Sequence, residues 1–99
     1  LVAVAEADIA FALDLFSDLG GLTSRKMFGG MCIYHHGTVF ALLSSDGTLY
    51  LKAKNEMAVA LAASGDQFHN MPYWSVPMSA LDDPQEACTL AIRTLATLN

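Results

Sequence analysis

Apolar positions recur at helical spacing at both ends of the chain and at strand spacing in the middle. Over residues 4–19, Ala5, Ile9, Ala12, Phe16 and Leu19 fall at i, i+4, i+7, i+11 and i+14, one face of a 3.6-residue period. Asp8, Asp14 and Asp18 lie off that stripe. Gly20-Gly21 closes the predicted helix, because glycine tolerates the positive φ that follows a last turn. Three short apolar runs then predict strands over 31–35, 39–44 and 48–53. The third alternates most clearly, with Leu49, Leu51 and Ala53 on one face and Tyr50 and Lys52 on the other. The second, Val39 to Ser44, is apolar on both faces, as a central strand is. His36-Gly37 and Asp46-Gly47 are hairpin signals, and such short loops force antiparallel neighbours, so the three strands form a meander.

A second helix is predicted over 56–64, with Asn55 as N-cap and Gly65 as its stop. An extended stretch over 67–76 follows, with one or two short strands. Pro72 and Pro77 bracket Tyr73-Trp74-Ser75-Val76, and proline cannot donate to a ladder, so this strand is short or at an edge. Tyr73 and Trp74 point to opposite faces of it; Trp74 is expected to pack and Tyr73 to lie at the surface. The last helix has Asp83 at N-cap, Pro84 at N1 and Glu86 at N3, a capping box with a preset first turn. Its apolar face is Ala87, Ala91, Leu95 and Leu98. The predicted order is α-β-β-β-α-β(β)-α: an α+β fold of two layers, an antiparallel meander with helices on one face. Residues 1–99 make one domain, with no linker or repeat.

Composition changes this picture in two ways. The chain is 54% hydrophobic and only 15% charged, against roughly 25% charged in an ordinary soluble domain. Two readings of the apolar surplus stand: an alanine-rich core with nothing left over, or a surface that a second copy or a standing partner covers. The net charge is −5 with five basic residues. That makes direct binding to nucleic acid a poor fit, since phosphate neutralisation supplies most non-specific affinity. No run reaches the ~20 apolar residues of a membrane span. Leu1 to Ala5 is apolar but lacks a basic flank, so it does not read as a signal peptide. Two cysteines give no disulfide framework, and the cytoplasm is the expected compartment.

Candidate chemistry is sparse. Cys32, His35, His36 and His69 are the metal candidates, but zinc wants three or four ligands at paired spacings and His35 would point away from Cys32. No metal or other cofactor is expected. Cys32 lies in a strand; Cys88 lies near a helix start, where the dipole would lower its pKa, among core-type neighbours. For both, packing is the expected role. The carboxylates are dispersed, so no general acid and base are brought together. Phe28-Gly29-Gly30 lacks the Lys-Ser/Thr of a phosphate loop, and its glycines read as backbone-geometry residues for a bulge or close approach. The chain is therefore expected not to be an enzyme. Arg25, Lys26, Lys52 and Lys54 carry two readings, a contact surface for an acidic partner or small anion, or ordinary charge decoration. Tyr50 shares the outward face with Lys52 and Lys54.

Three motifs together, Arg25 to Gly30 (RKMFGG), Phe40 to Lys52, and Tyr73 to Pro77 (YWSVP) followed by DDPQEA, resemble the TfoX N-terminal domain family, associated with regulators of bacterial competence. The resemblance covers most of the chain. It implies a two-layer α+β domain in which Met27, Phe28, Gly29, Gly30, Trp74 and Pro77 are structural signature positions. It also implies a regulatory module that works through protein contacts, as a homodimer or with a regulatory protein. The family supplies no catalytic residues to carry over. Longer members continue into a second domain linked to competence-gene activation, whereas this chain ends at Asn99.

Overall fold

The computed structural model describes residues 3–98. Helix α1 (Glu6–Leu15) is followed by a 3₁₀ turn (Ser17–Leu19) and four consecutive strands: β1 (Leu22–Met27), β2 (Gly30–His35), β3 (Thr38–Leu43) and β4 (Leu49–Lys52). Helix α2 (Asn55–Ala62), strand β5 (Tyr73–Ser75), a short helix α3 (Met78–Leu81) and the long α4 (Pro84–Leu98) complete the chain. The sheet is antiparallel in the order β1-β2-β3-β4-β5, so each strand pairs with its neighbour in sequence. This is the expected α+β meander. Leu1, at the head of the apolar N-terminal run, lies outside the described residues, as do Val2 and Asn99.

The helices cover one face. Ala12, Leu15 and Phe16 of the first helical segment, Met57 and Leu61 of α2, and Ala87 and Ala91 of α4 form one cluster with Met31, Ile33, Phe40, Ala41, Leu43, Leu49 and Leu51. At its centre the Phe16 and Phe40 rings meet edge to face, centroids 5.2 Å apart. A bulge explains why β3 reads as apolar on both sides. Ile33 pairs with Ala41 but Tyr34 pairs with Val39, so Phe40 is an extra residue. Phe40 and Ala41 both enter the helix-side core, while Val39 and Leu42 face the other way.

The sequence pattern missed two elements. β1 is exposed at five of its six positions and carries no alternation to detect. Helix α3 is a single turn after Pro77, whose carbonyl accepts from the Ala80 amide at 2.9 Å. The first helix is shorter than expected and ends in the 3₁₀ turn before Gly20. Asn55 does not act as an N-cap: the helix starts on it, with Lys54 in the cap position and no side-chain cap bond. The last helix is half a capping box. Asp83 Oδ1 accepts from the amides of Gln85 and Glu86 at 3.1 and 3.2 Å, but the Glu86 carboxylate accepts from the Ser79 hydroxyl instead of the cap amide. The Asp83 amide is satisfied by the Ala80 carbonyl of α3. The missed helix is thus what displaces the missing half of the box.

Candidate functional site: the sheet face away from the helices

The outer face of the sheet has its own small apolar cluster. Cys32, Leu42 and Tyr73 are buried there, with Tyr34, Val39, Tyr50 and Phe68 packed around them. What covers them is the segment between Gly65 and Tyr73, folded back as a flap. Its turns close through Met71 N to Phe68 O (3.1 Å) and Tyr73 N to Met71 O (2.7 Å), and Asp66 N donates to Ser75 Oγ at 2.9 Å. Phe68 leans on Tyr50, ring centroids 5.0 Å apart.

The flap covers only part of the face. Beside it lies a groove of about 420 Å³ floored by Cys32 and Leu42 and walled by Met27 and Phe28 on one side and Phe68, His69 and Met71 on the other. Three of the large hydrophobic side chains exposed among the described residues, Met27, Phe28 and Met71, line this one groove. A contiguous apolar patch carries information that scattered exposed side chains do not.

The β1–β2 connection shapes its rim. Met27 pairs with Gly30, so Phe28 and Gly29 form a two-residue hairpin turn with φ of 54° and 78°. Of the bulge and the close backbone approach expected at this point, the close approach is found, at Gly30, and the bulge is not: the extra residue sits in β3. Val4 N pins the turn by donating to Gly29 O at 2.7 Å. Gly30 is required for space, since a Cβ there would come within 2.2 Å of the Leu43 carbonyl oxygen. Phe28 is the unexpected residue. Glycine or asparagine suits a left-handed turn position, and a bulky side chain is strained there. Yet its ring stands 85% exposed at the groove's rim.

The predicted contact residues separate. Register puts Arg25 opposite Cys32, Cys32 opposite Leu42 and Leu42 opposite Tyr50, so Arg25, Tyr50 and Lys52 share the outer face. The positive charge of Lys52 acts on the Cys32 thiol. Lys26 pairs with Met31 of the inner core and projects from the opposite side of β1. Lys54 lies beyond β4 at the start of α2. The four cations are therefore not one patch. Tyr50 is half-buried under Phe68 and is not free to stack a base. The expected surface position of Tyr73 is corrected: it is 7% exposed, because it pairs with Lys52 on the face the flap covers. Trp74 packs against the helix-side core, as expected.

Burial raises both thiol pKa values; at Cys32 the Lys52 charge opposes the effect, and at Cys88 the Asp18 carboxylate adds to it. The expected lowering at Cys88 is thus overturned by burial, and its Sγ lies 3.6 Å from the Leu15 carbonyl. A protonated, buried thiol is a poor nucleophile. His35 Nδ1 lies 2.9 Å from the Gly20 carbonyl and its ring meets His36, while His69 stacks on Phe68. Among the described residues no three His, Cys, Asp or Glu side chains come together to hold a metal ion. No helix among them is long and apolar enough to cross a membrane.

No curated protein matches the sequence. The family described as TfoX N-terminal domain matches residues 14–98, nearly the whole chain, including the hairpin that forms the groove's rim and the flap that forms its wall. The chain belongs to the TfoX N-terminal domain family.

Proposed function

We propose that this is a non-catalytic regulatory domain of the competence-regulator type, acting in the cytoplasm by holding another chain, either a second copy of itself or a regulatory protein. The observation that carries the reading is the uncovered outer face of the sheet, where Phe28, Met27 and Met71 surround an apolar groove. Exposed aromatic and methionine side chains around a desolvated pocket are the composition of an interaction hot spot. Membership of the family supports the regulatory part of the reading.

The test is affinity capture from the native lysate, nuclease-treated, with mass spectrometry of the retained proteins. Wild type is expected to hold one dominant protein. Phe28→Ser and the double variant Arg25→Glu/Lys52→Glu are expected to lose it. A blank from wild type, together with a strict monomer in light scattering, would remove the reading.

A second reading, a small-anion site, is favoured by one observation: Arg25 and Lys52 do share a face. Neither lines the groove, so an anion there would lack an enclosed seat. A thermal-shift screen of phosphates and nucleotides decides it, since a ligand of the native state raises Tm by mass action.

A further inference from the structure

β1 is the long open edge of this sheet. Strand order leaves its far side without a neighbour, and five of its six residues are exposed. The far side of the three-residue β5 is taken up by the start of the flap: Gln67 bridges Trp74, Phe68 N donates to Tyr73 O and Ser75 N to Asp66 O. Hydrogen-bond phase can be followed along β1. His36 N donates to Gly21 O. In an antiparallel pair the bonded and non-bonded positions alternate, so Thr23, Arg25 and Met27 bond to β2. The amides and carbonyls of Leu22, Ser24 and Lys26 then point away from the sheet, with no backbone partner among the described residues.

The charge around this edge is one-sided. The chain has ten acidic residues, yet none lies between Asp18 and Asp46, the whole span of β1, β2 and β3. β1 itself carries Arg25 above the sheet and Lys26 below it. Adjacent cations on an edge strand repel an identical edge from a second copy and attract an acidic strand. At the end of the same strand stands Phe28, its ring held at a left-handed position over the groove.

We propose that β1 accepts an extended acidic segment of another protein as a sixth strand, its acidic side chains flanking Arg25 and Lys26 and an apolar side chain seated beside Phe28 in the groove. This rests on the protein-contact reading above and names the chemistry of the partner. Main-chain bonds to the outward amides give affinity, and the alternating side chains give selectivity.

The probe is an eight-residue labelled peptide with a central Glu-Glu pair, one carboxylate for each face of the sheet, flanked by Val and Thr and ending in Phe. Its controls are the same peptide with Lys for Glu and the acidic peptide N-methylated on alternate amides. Binding is read by fluorescence anisotropy and by amide exchange at Ser24 and Lys26. Only the acidic peptide is expected to bind, with both amides protected. Ser24→Pro removes an outward amide that β2 does not use, and is expected to weaken binding at least tenfold. Arg25→Glu is expected to do the same, and stands in if the proline variant melts early. Equal binding of the methylated or Lys peptide, or no binding at millimolar peptide, overturns the proposal. So does a self-association that Ser24→Pro abolishes, since a second copy would then hold the edge. If lysate capture survives Ser24→Pro but not Phe28→Ser, strand addition falls while the contact reading stands. If capture fails for wild type, both fall.

Discussion

Phe28 has a backbone conformation that asparagine would adopt at lower cost and a side chain that water does not favour. If the proposed partner contact is what keeps it there, removing it should separate stability from binding. Phe28→Asn is expected to leave the Tm unchanged or raise stability by about 1 kcal/mol, through relief of the left-handed strain, while abolishing capture of the partner. A fall in Tm would mean that the ring packs on the domain itself. Gly30 makes the opposite case. A methyl group there meets the Leu43 carbonyl, and Gly30→Ala is expected to cost about 1–3 kcal/mol in urea unfolding, the range for forcing extra atoms into a packed site. Phe28 in the turn and Gly30 at the start of β2 are thus expected to respond differently, Gly30 because the backbone of β3 leaves it no room.

At the scale of elements, Asp83 caps α4 through two amides, and Asp83→Ala is expected to cost about 1 kcal/mol. Ser79→Ala tests the cross-helix bond to Glu86 and should cost less, the site being exposed. Elements with a periodic apolar face were legible in the sequence, because burial on one side leaves a period behind. The helix-side residues of β4 and the apolar face of α4 belong to this class, while the flanking prolines mark the short strand and Asp83-Pro84 the start of α4. β1 left no period because neither of its faces is buried. The same lack of burial kept the candidate site illegible. The groove is made by an edge strand, a flap without regular structure and a turn whose first residue breaks the usual turn chemistry. Arg25 and Lys52 stand out as candidates in the sequence, but only register shows that they share a face and that Lys26 does not. Tyr73 was misplaced because alternation says which residues oppose each other, not that a later flap covers the outer side.

Across the whole molecule, burial sets the response to pH. The thiols of Cys32 and Cys88 and the hydroxyls of Tyr50 and Tyr73 all have raised pKa values, burial being the leading cause. A raised value in the fold contributes stability that is complete below the unfolded pKa and is lost as pH climbs through the folded one. Asp46 runs the other way. Bonds from the Ser44 hydroxyl and the Thr48 amide lower its pKa, so its contribution is present above the ordinary carboxylate range and fades as pH falls. The urea midpoint is expected to be flat through neutrality and to decline once pH passes the ordinary thiol range. A midpoint that rose there would contradict the buried thiols. Ellman's reagent at neutral pH gives the companion result: both cysteines should react slowly in the native protein and at once in urea.

The meander also has a consequence for how the chain leaves the ribosome. Each strand pairs with the one made just before it, and two of the connections are two-residue turns, so the first four strands can zip up as they emerge with little loop entropy to overcome. The inner face of that early sheet is only partly covered by α1 and α2, however, because α4, which covers β3 and β4 and touches α1, is made after all five strands. A nascent chain paused before Pro84 would carry a formed sheet whose apolar side is covered only in part, the kind of species that chaperones hold. Synthesis of α4 is then the step that completes the cover of the inner face and leaves the outer one open.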